Sequence, residues 1–219
     1  MFITLDIETI PAQRADIQAY VASQVTHPGN ISKPETIAKW NEESRPTAVA
    51  EALHKTGLDG AFGQVVCVSV ALGDREPVTF CGMVELDILE ALNNWLGVKW
   101  LDHQVQIVGH NVSGFDLRFL MKRYIVNSLR PDSLLANAAQ AKPWESDKVF
   151  DTMVQFAGVG NHISLDKLCL ALGLPGKGEI SGKDVWPLVQ AGELEKVAAY
   201  CADDVRKTRA VYKRMVFAA

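Results

Sequence analysis

Apolar positions along the chain follow two different periods, and the periods alternate. M-F-I-T-L-D-I-E reads as a β-branched strand over residues 2–8, and Q-V-V-C-V-S-V-A-L over 64–72 as a buried strand. P-V-T-F-C at 77–81 predicts a short strand pairing with the latter. From 84 to 97 the period changes: Val84, Ile88, Leu89, Leu92, Trp95 and Leu96 recur at helical spacing. Q-V-Q-I-V-G-H-N then predicts a strand closing in a turn, and F-D-L-R-F-L-M-K-R-Y a helix. K-V-F-D-T-M is a short extended piece leading into another helix, with Asp151 as its cap. S-L-D-K-L-C-L-A-L-G predicts a short helix capped by Ser164 and stopped at Gly173. A long helix covers 193–217, its core face marked by Leu194, Val197, Ala198, Cys201, Val205, Thr208, Tyr212 and Met215.

Residues 12–60 break this alternation. They are polar, carry prolines, and show helical patterning in I-A-K-W-N-E-E and T-A-V-A-E-A-L-H-K, with turns at Pro28-Gly29 and Gly57 to Gly60. The expectation is one α/β domain over 1–219, helices on both sides of a sheet, with a helical insertion at about 12–60.

Composition changes this picture little. The chain has 219 residues, 48% hydrophobic and 22% charged, long enough to bury a core. Its formal net charge of -4 gives no global basic field for nucleic acid, although bound cations in an acidic site can supply one locally. The four cysteines, Cys67, Cys81, Cys169 and Cys201, form no C-x-x-C pair, which suits reduced thiols in a cytoplasmic protein. No signal peptide or apolar stretch of membrane-spanning length appears, so no membrane role is expected.

The candidate chemistry lies in acids that interrupt apolar surroundings. Asp6 and Glu8 are two apart on a strand and project from the same face. Carboxylates that close resist joint ionisation. Either the face is a solvent-exposed edge, or a divalent cation sits between them; the flanking Phe2, Ile3, Leu5, Ile7 and Ile10 argue against a fully exposed face. Hard cations with oxygen ligands would need more acids. In G-H-N-V-S-G-F-D, Asp116 serves as such a ligand or as an ordinary acid at a helix N-terminus. In Y-C-A-D-D-V, Asp204 borders the core face one turn from Tyr200. Asp203 lies further round, where a solvated pair with Lys207 suits it.

L-D-I-E-T, N-V-S-G-F-D and Y-C-A-D-D resemble the three motifs of the DEDD-type 3′–5′ exonucleases, and the tyrosine resembles the DEDDy subclass. D-G-A-F-G-Q-V-V-C-V, S-L-D-K-L-C-L-A-L-G-L-P-G-K and D-V-W-P-L-V-Q-A-G look like stand-alone exonucleases related to the proofreading domain of family B DNA polymerases. The resemblance is weakest across 12–50. It implies a ribonuclease H-like fold, a mixed five-stranded sheet with helices on both faces. Carried over by position, it implies metal ligation by Asp6, Glu8, Asp116 and Asp204, with Tyr200 catalytic beside them. It implies substrate contacts at Thr9, Asn111 and Phe115.

The cofactors so implied are two divalent cations, Mg²⁺ or Mn²⁺, about 3.5–4 Å apart, clamping the attacking and leaving oxygens of a phosphodiester. The partner is nucleic acid: single-stranded DNA or 3′ ends, with RNA as an alternative. A non-catalytic nucleic-acid-binding domain on the same fold is the reading from a different class; the complete acid set weighs against it. His110 is read as structural, since the tyrosine fills its place. G-L-P-G-K-G-E lacks phosphate-loop spacing. The basic end of the last helix serves either nucleic acid or the helix dipole.

Overall fold

The computed structural model describes residues 1–97, 105–176 and 178–218; Gln104, at the head of one expected strand, and Lys177 lie outside them. In chain order the elements are β1 (Phe2–Ile10), α1 (Ala15–Gln24), α2 (Pro34–Glu43), α3 (Arg45–Lys55), β2 (Gln64–Leu72), β3 (Val78–Cys81) and α4 (Glu85–Gly97). They continue with β4 (Gln106–Gly109), α5 (Asp116–Val126), α6 (Ser133–Ala139), β5 (Val149–Asp151), α7 (Thr152–Ala157), α8 (Leu165–Ala171), α9 (Val185–Gln190) and α10 (Leu194–Met215). A 3-10 turn, Thr56–Leu58, follows α3.

The five strands form one mixed sheet in the order β3-β2-β1-β4-β5. β1 runs parallel to β4, with Thr4 opposite Val108, and β4 parallel to β5, with Gly109 opposite Asp151. β2 and β3 are antiparallel, with Cys67 opposite Cys81. Alternation along β1 divides the molecule's two apolar layers. Ile3, Leu5 and Ile7 are buried in a core with Ile88, Leu89 and Leu92 of α4 and Leu117, Leu120 and Tyr124 of α5. The opposite face meets α10, where the Phe2 ring lies 4.8 Å from that of Tyr212. Helices therefore cover both faces, as expected.

Packing divides the chain into two compact units, Met1–Glu8 with Val65–Ala219, and Thr9–Gln64. In the second, α1, α2 and α3 contain no fully buried residue. Side-chain to backbone bonds close it instead. The Thr56 hydroxyl accepts the Ala12 N–H (2.8 Å) and donates to the Leu53 carbonyl (2.6 Å). The Thr9 hydroxyl donates to the Gly57 carbonyl (2.6 Å). A Cβ at Gly57 would sit 3.3 Å from the Ile10 carbonyl carbon, so the close chain approach there explains the glycine.

In the first unit, a buried ion pair joins α4 to α5. Arg123 donates through Nε and Nη2 to both Glu85 oxygens (2.9 and 2.7 Å). The same carboxylate accepts the Val65 N–H (2.7 Å) and the Asn127 side-chain amide (2.8 Å). Ser164 caps α8 by accepting the Lys167 N–H, and Gly173 beyond it takes a positive φ of 67°. Two helices have no counterpart in the expected elements. α6 is seven residues and α9 six; helices of that length are read from caps and stops, as α7 and α8 are, and not from a 3.6-residue period. No helix among the described residues is long and apolar enough to cross a membrane.

Candidate active site

Asp6 and Glu8 leave β1 on the face turned toward α10. One oxygen from each and the Cys201 sulfur lie within 4.8 Å of one another. The Cys201 thiol donates to Asp6 Oδ2 at 3.4 Å. Asp116 is the first residue of α5 and is buried. Its Oδ1 accepts the backbone N–H of Ile7 (3.1 Å), the residue between the two strand acids, which ties it to the same point on β1. α10 contributes Tyr200 and Asp204 one turn apart, close enough for each to act on the other's ionisation.

The electrostatics describe a site overloaded with negative charge. Burial pushes the Asp6 carboxyl well above its ordinary range, and Cys201, Glu8, Asp116 and Asp204 add to the push. Glu8 is raised by burial first, then by Cys201, Asp204 and Asp116. Asp116 is raised to about 7, chiefly by burial, with hydrogen bonds from its own amide and that of Ile7 pulling the other way. Asp204 is raised by burial against the pull of Lys207. Burial, then Asp204 and Glu8, hold the Tyr200 phenol far above its ordinary range.

Helical phase separates the adjacent acids of α10: Asp204 is 16% exposed and Asp203 48%. Lys207 differs from its expected place. It does pair with Asp203 (2.9 Å), but its side chain is only 8% exposed and its ammonium also reaches Asp204 Oδ1 (3.2 Å). Asp166 of α8 approaches it at 4.0 Å from the other side. The stem runs along the core while the head meets three carboxylates.

The remaining candidates fall around this cluster differently. Asn111 adopts a positive φ of 59° in the β4–α5 loop, and its side chain fills the space a Cβ at Gly114 would need. Phe115 immediately precedes α5, packs on the core, and its ring lies 5.4 Å from that of Phe119. Thr9 belongs to the second unit, where its hydroxyl bonds Gly57. His110 is held at both nitrogens, by the Thr152 hydroxyl and the Ile163 carbonyl (2.9 Å each), and burial lowers its pKa. Much of the basic end of α10 is engaged with the β2–β3 turn: Arg206 with Glu76 (2.8 Å), Lys213 with Asp74 (2.5 Å), and Arg209 with the Gly73 and Arg75 carbonyls.

Cys201 and Lys207 had no assigned place in the site. Their sequence signal, an apolar-face cysteine and a lysine one turn from two acids, does not reveal which strand lies opposite.

Among solved structures, the chain resembles the family B DNA polymerase from the hyperthermophilic archaeon Pyrobaculum calidifontis. The TM-score is 0.60 at 17% identity, over 98% of this chain and 24% of the polymerase. The likeness is one of fold, and the chain spans about a quarter of that protein's length. None of the curated proteins matches the chain in sequence. The model of one family, described as a predicted 3′–5′ exonuclease related to the exonuclease domain of PolB, matches residues 59–219. That match takes in the second and third acidic motifs and most of the sheet, and the chain belongs to this family of predicted 3′–5′ exonucleases.

Proposed function

We propose that the protein removes nucleotides stepwise from the 3′ ends of single-stranded DNA, with two divalent cations, Mg²⁺ or Mn²⁺, and releases nucleoside 5′-monophosphates. One observation carries this reading: four carboxylates from three distant parts of the chain converge on one site, each held above its ordinary range. Oxygen donors of this kind fit hard cations, and the mutual repulsion of the acids is what such cations would relieve. The relation to the PolB exonuclease domain favours DNA over RNA.

Asp6, Glu8, Asp116 and Asp204 would hold the cations: Glu8 and Asp204 would help hold the ion that activates water, Asp116 would hold the second directly or through water, and Asp6 would serve both. When bound, the ions would lower the pKa of the attacking water and stabilise charge on the leaving oxygen. The residues supply the rest. The thiol of Cys201 holds one Asp6 oxygen in place. Tyr200 stays protonated because its surroundings disfavour the phenolate, so it orients the water as a hydrogen-bonding group and does not act as base. Thr9, Asn111 and Phe115 are proposed to contact the terminal nucleotides.

The test uses 5′-labelled single-stranded DNA and RNA oligonucleotides with Mg²⁺, with Mn²⁺, and with chelator. The expected result is a DNA ladder shortening from the 3′ end that chelator and Asp6→Ala abolish. Intact oligonucleotide under every metal condition overturns the nuclease reading, and faster shortening of RNA overturns the choice of DNA.

A further inference from the structure

Asp151 ends β5, beside Gly109 of β4 in the parallel register, and is 2% exposed. Its carboxylate accepts four backbone N–H groups. Two belong to the helix it starts: Met153 and Val154 donate to Oδ1 (3.1 and 3.3 Å), which makes Asp151 the N-cap of α7. The other two come from the β4–α5 loop. Asn111 donates to Oδ1 and Ser113 to Oδ2, each at 2.9 Å.

Helix capping does not call for those last two bonds. They grip the loop that delivers Asp116, and that loop has little latitude. Asn111 is in the left-handed region, and a Cβ at Gly109 or Gly114 would collide with Val112 or Asn111. Asn111 also receives the Gly114 and Phe115 amides on its own carbonyl (3.1 and 2.8 Å). The loop's inward bonds are therefore made within itself, and two of its outward N–H groups end on one buried carboxylate from the next strand. Three residues after Ser113, Asp116 takes its bond from Ile7.

We propose that Asp151 is a positioning residue for the metal site: by holding the Asn111 and Ser113 amides it fixes the loop that places Asp116 against Asp6 and Glu8. This rests on the reading of those acids as cation ligands. Supporting groups of metal sites that lie beyond the ligands themselves are worth about 10- to 100-fold in metal affinity or activity.

Asp151→Asn separates the two roles, because asparagine is as good an N-cap as aspartate and keeps one oxygen for α7. Its amide group cannot accept from Ser113, so the loop loses one of its two bonds to this side chain while the helix start stays. Asp151→Ser is a second cap-competent variant with the same expectation. Asp132→Ala is the control: it removes a comparable N-cap, on α6 through the Leu134 N–H, away from the acids.

Mn²⁺ binding is read directly by electron paramagnetic resonance without nucleic acid, together with the melting temperature. Asp151→Asn is expected to weaken Mn²⁺ binding about 10-fold. Asp132→Ala is expected to lower the melting temperature and leave Mn²⁺ binding as in the wild type. Wild-type Mn²⁺ binding in both Asp151 variants overturns the proposal and leaves Asp151 a helix cap. Tight Mn²⁺ binding by the wild type with no oligonucleotide cleavage overturns the nuclease reading alone.

Discussion

Asp203 and Asp204 share a peptide bond yet point about 100° apart around α10, and that angle decides their chemistry. Asp204 lies beside the Tyr200 phenol and Glu8, while Asp203 stands half in solvent beside Lys207. Asp204→Asn is expected to cut exonuclease turnover by about 100-fold or more, and Asp203→Asn to stay within a few-fold of wild type. Turnover measured on one oligonucleotide at saturating Mg²⁺ decides it, and equal losses would refute the assignment. Strand alternation made Asp6 and Glu8 legible as a pair, and helical phase singled out Asp204, because both periods are local properties of the chain. Asp116 was different. Its own residues left a helix-start acid and a ligand equally open, and the structure shows why: it begins α5 and also reaches Ile7. The Lys207–Asp203 pair was legible as a local spacing, but the approach of Asp166 to Lys207 and of Asp6 to Cys201 was not, because those partners sit on α8 and β1, at distances along the chain that no short window spans.

The strands and the long helices were readable from period alone, but what fastens them together was not. Glu85 looks like any acid in a first helical turn, and Arg123 like a surface cation late in α5. Both are more than nine-tenths buried, and together they hold α4, α5 and the start of β2 through the Val65 N–H. Removing one partner of a buried ion pair leaves the other charge without its counterion, at a cost of about 3–5 kcal/mol. Glu85→Gln is therefore expected to destabilise the protein by about that amount in urea unfolding, with the acids of the candidate site untouched. A loss below about 1 kcal/mol, the range of exposed pairs, would mean that the network contributes little. The end of α10 shows the same limit of local reading. Its cations fit nucleic acid or the helix dipole equally well by sequence. In the fold Arg206, Arg209 and Lys213 brace the β2–β3 turn against the helix.

Across the whole molecule, the acid cluster sets how stability depends on pH and metal. Asp116 ionises at its ordinary 3.8 when unfolded and at about 7 when folded. Between those values the folded state binds more protons than the unfolded state, so stability declines as pH rises. The contribution is complete below the first value and lost above the second. Asp6, Glu8 and Asp204 are shifted in the same direction and steepen the decline. A divalent cation acts with the opposite sign. Bound as proposed, it would be held by the ionised acids of the folded protein, so its stabilisation would grow as the protons leave. In chelator the melting temperature is expected to fall from about pH 5 to about pH 8, and millimolar Mn²⁺ or Mg²⁺ to restore most of the loss at the upper end. Asp116→Asn keeps an oxygen for the Ile7 N–H but carries no charge. It should therefore raise the metal-free melting temperature near pH 8 and shrink the gain from metal. A metal-free melting temperature that climbs over this range would show that the acids are not held protonated by the fold. Mutual repulsion would then give these acids no need of a bound cation.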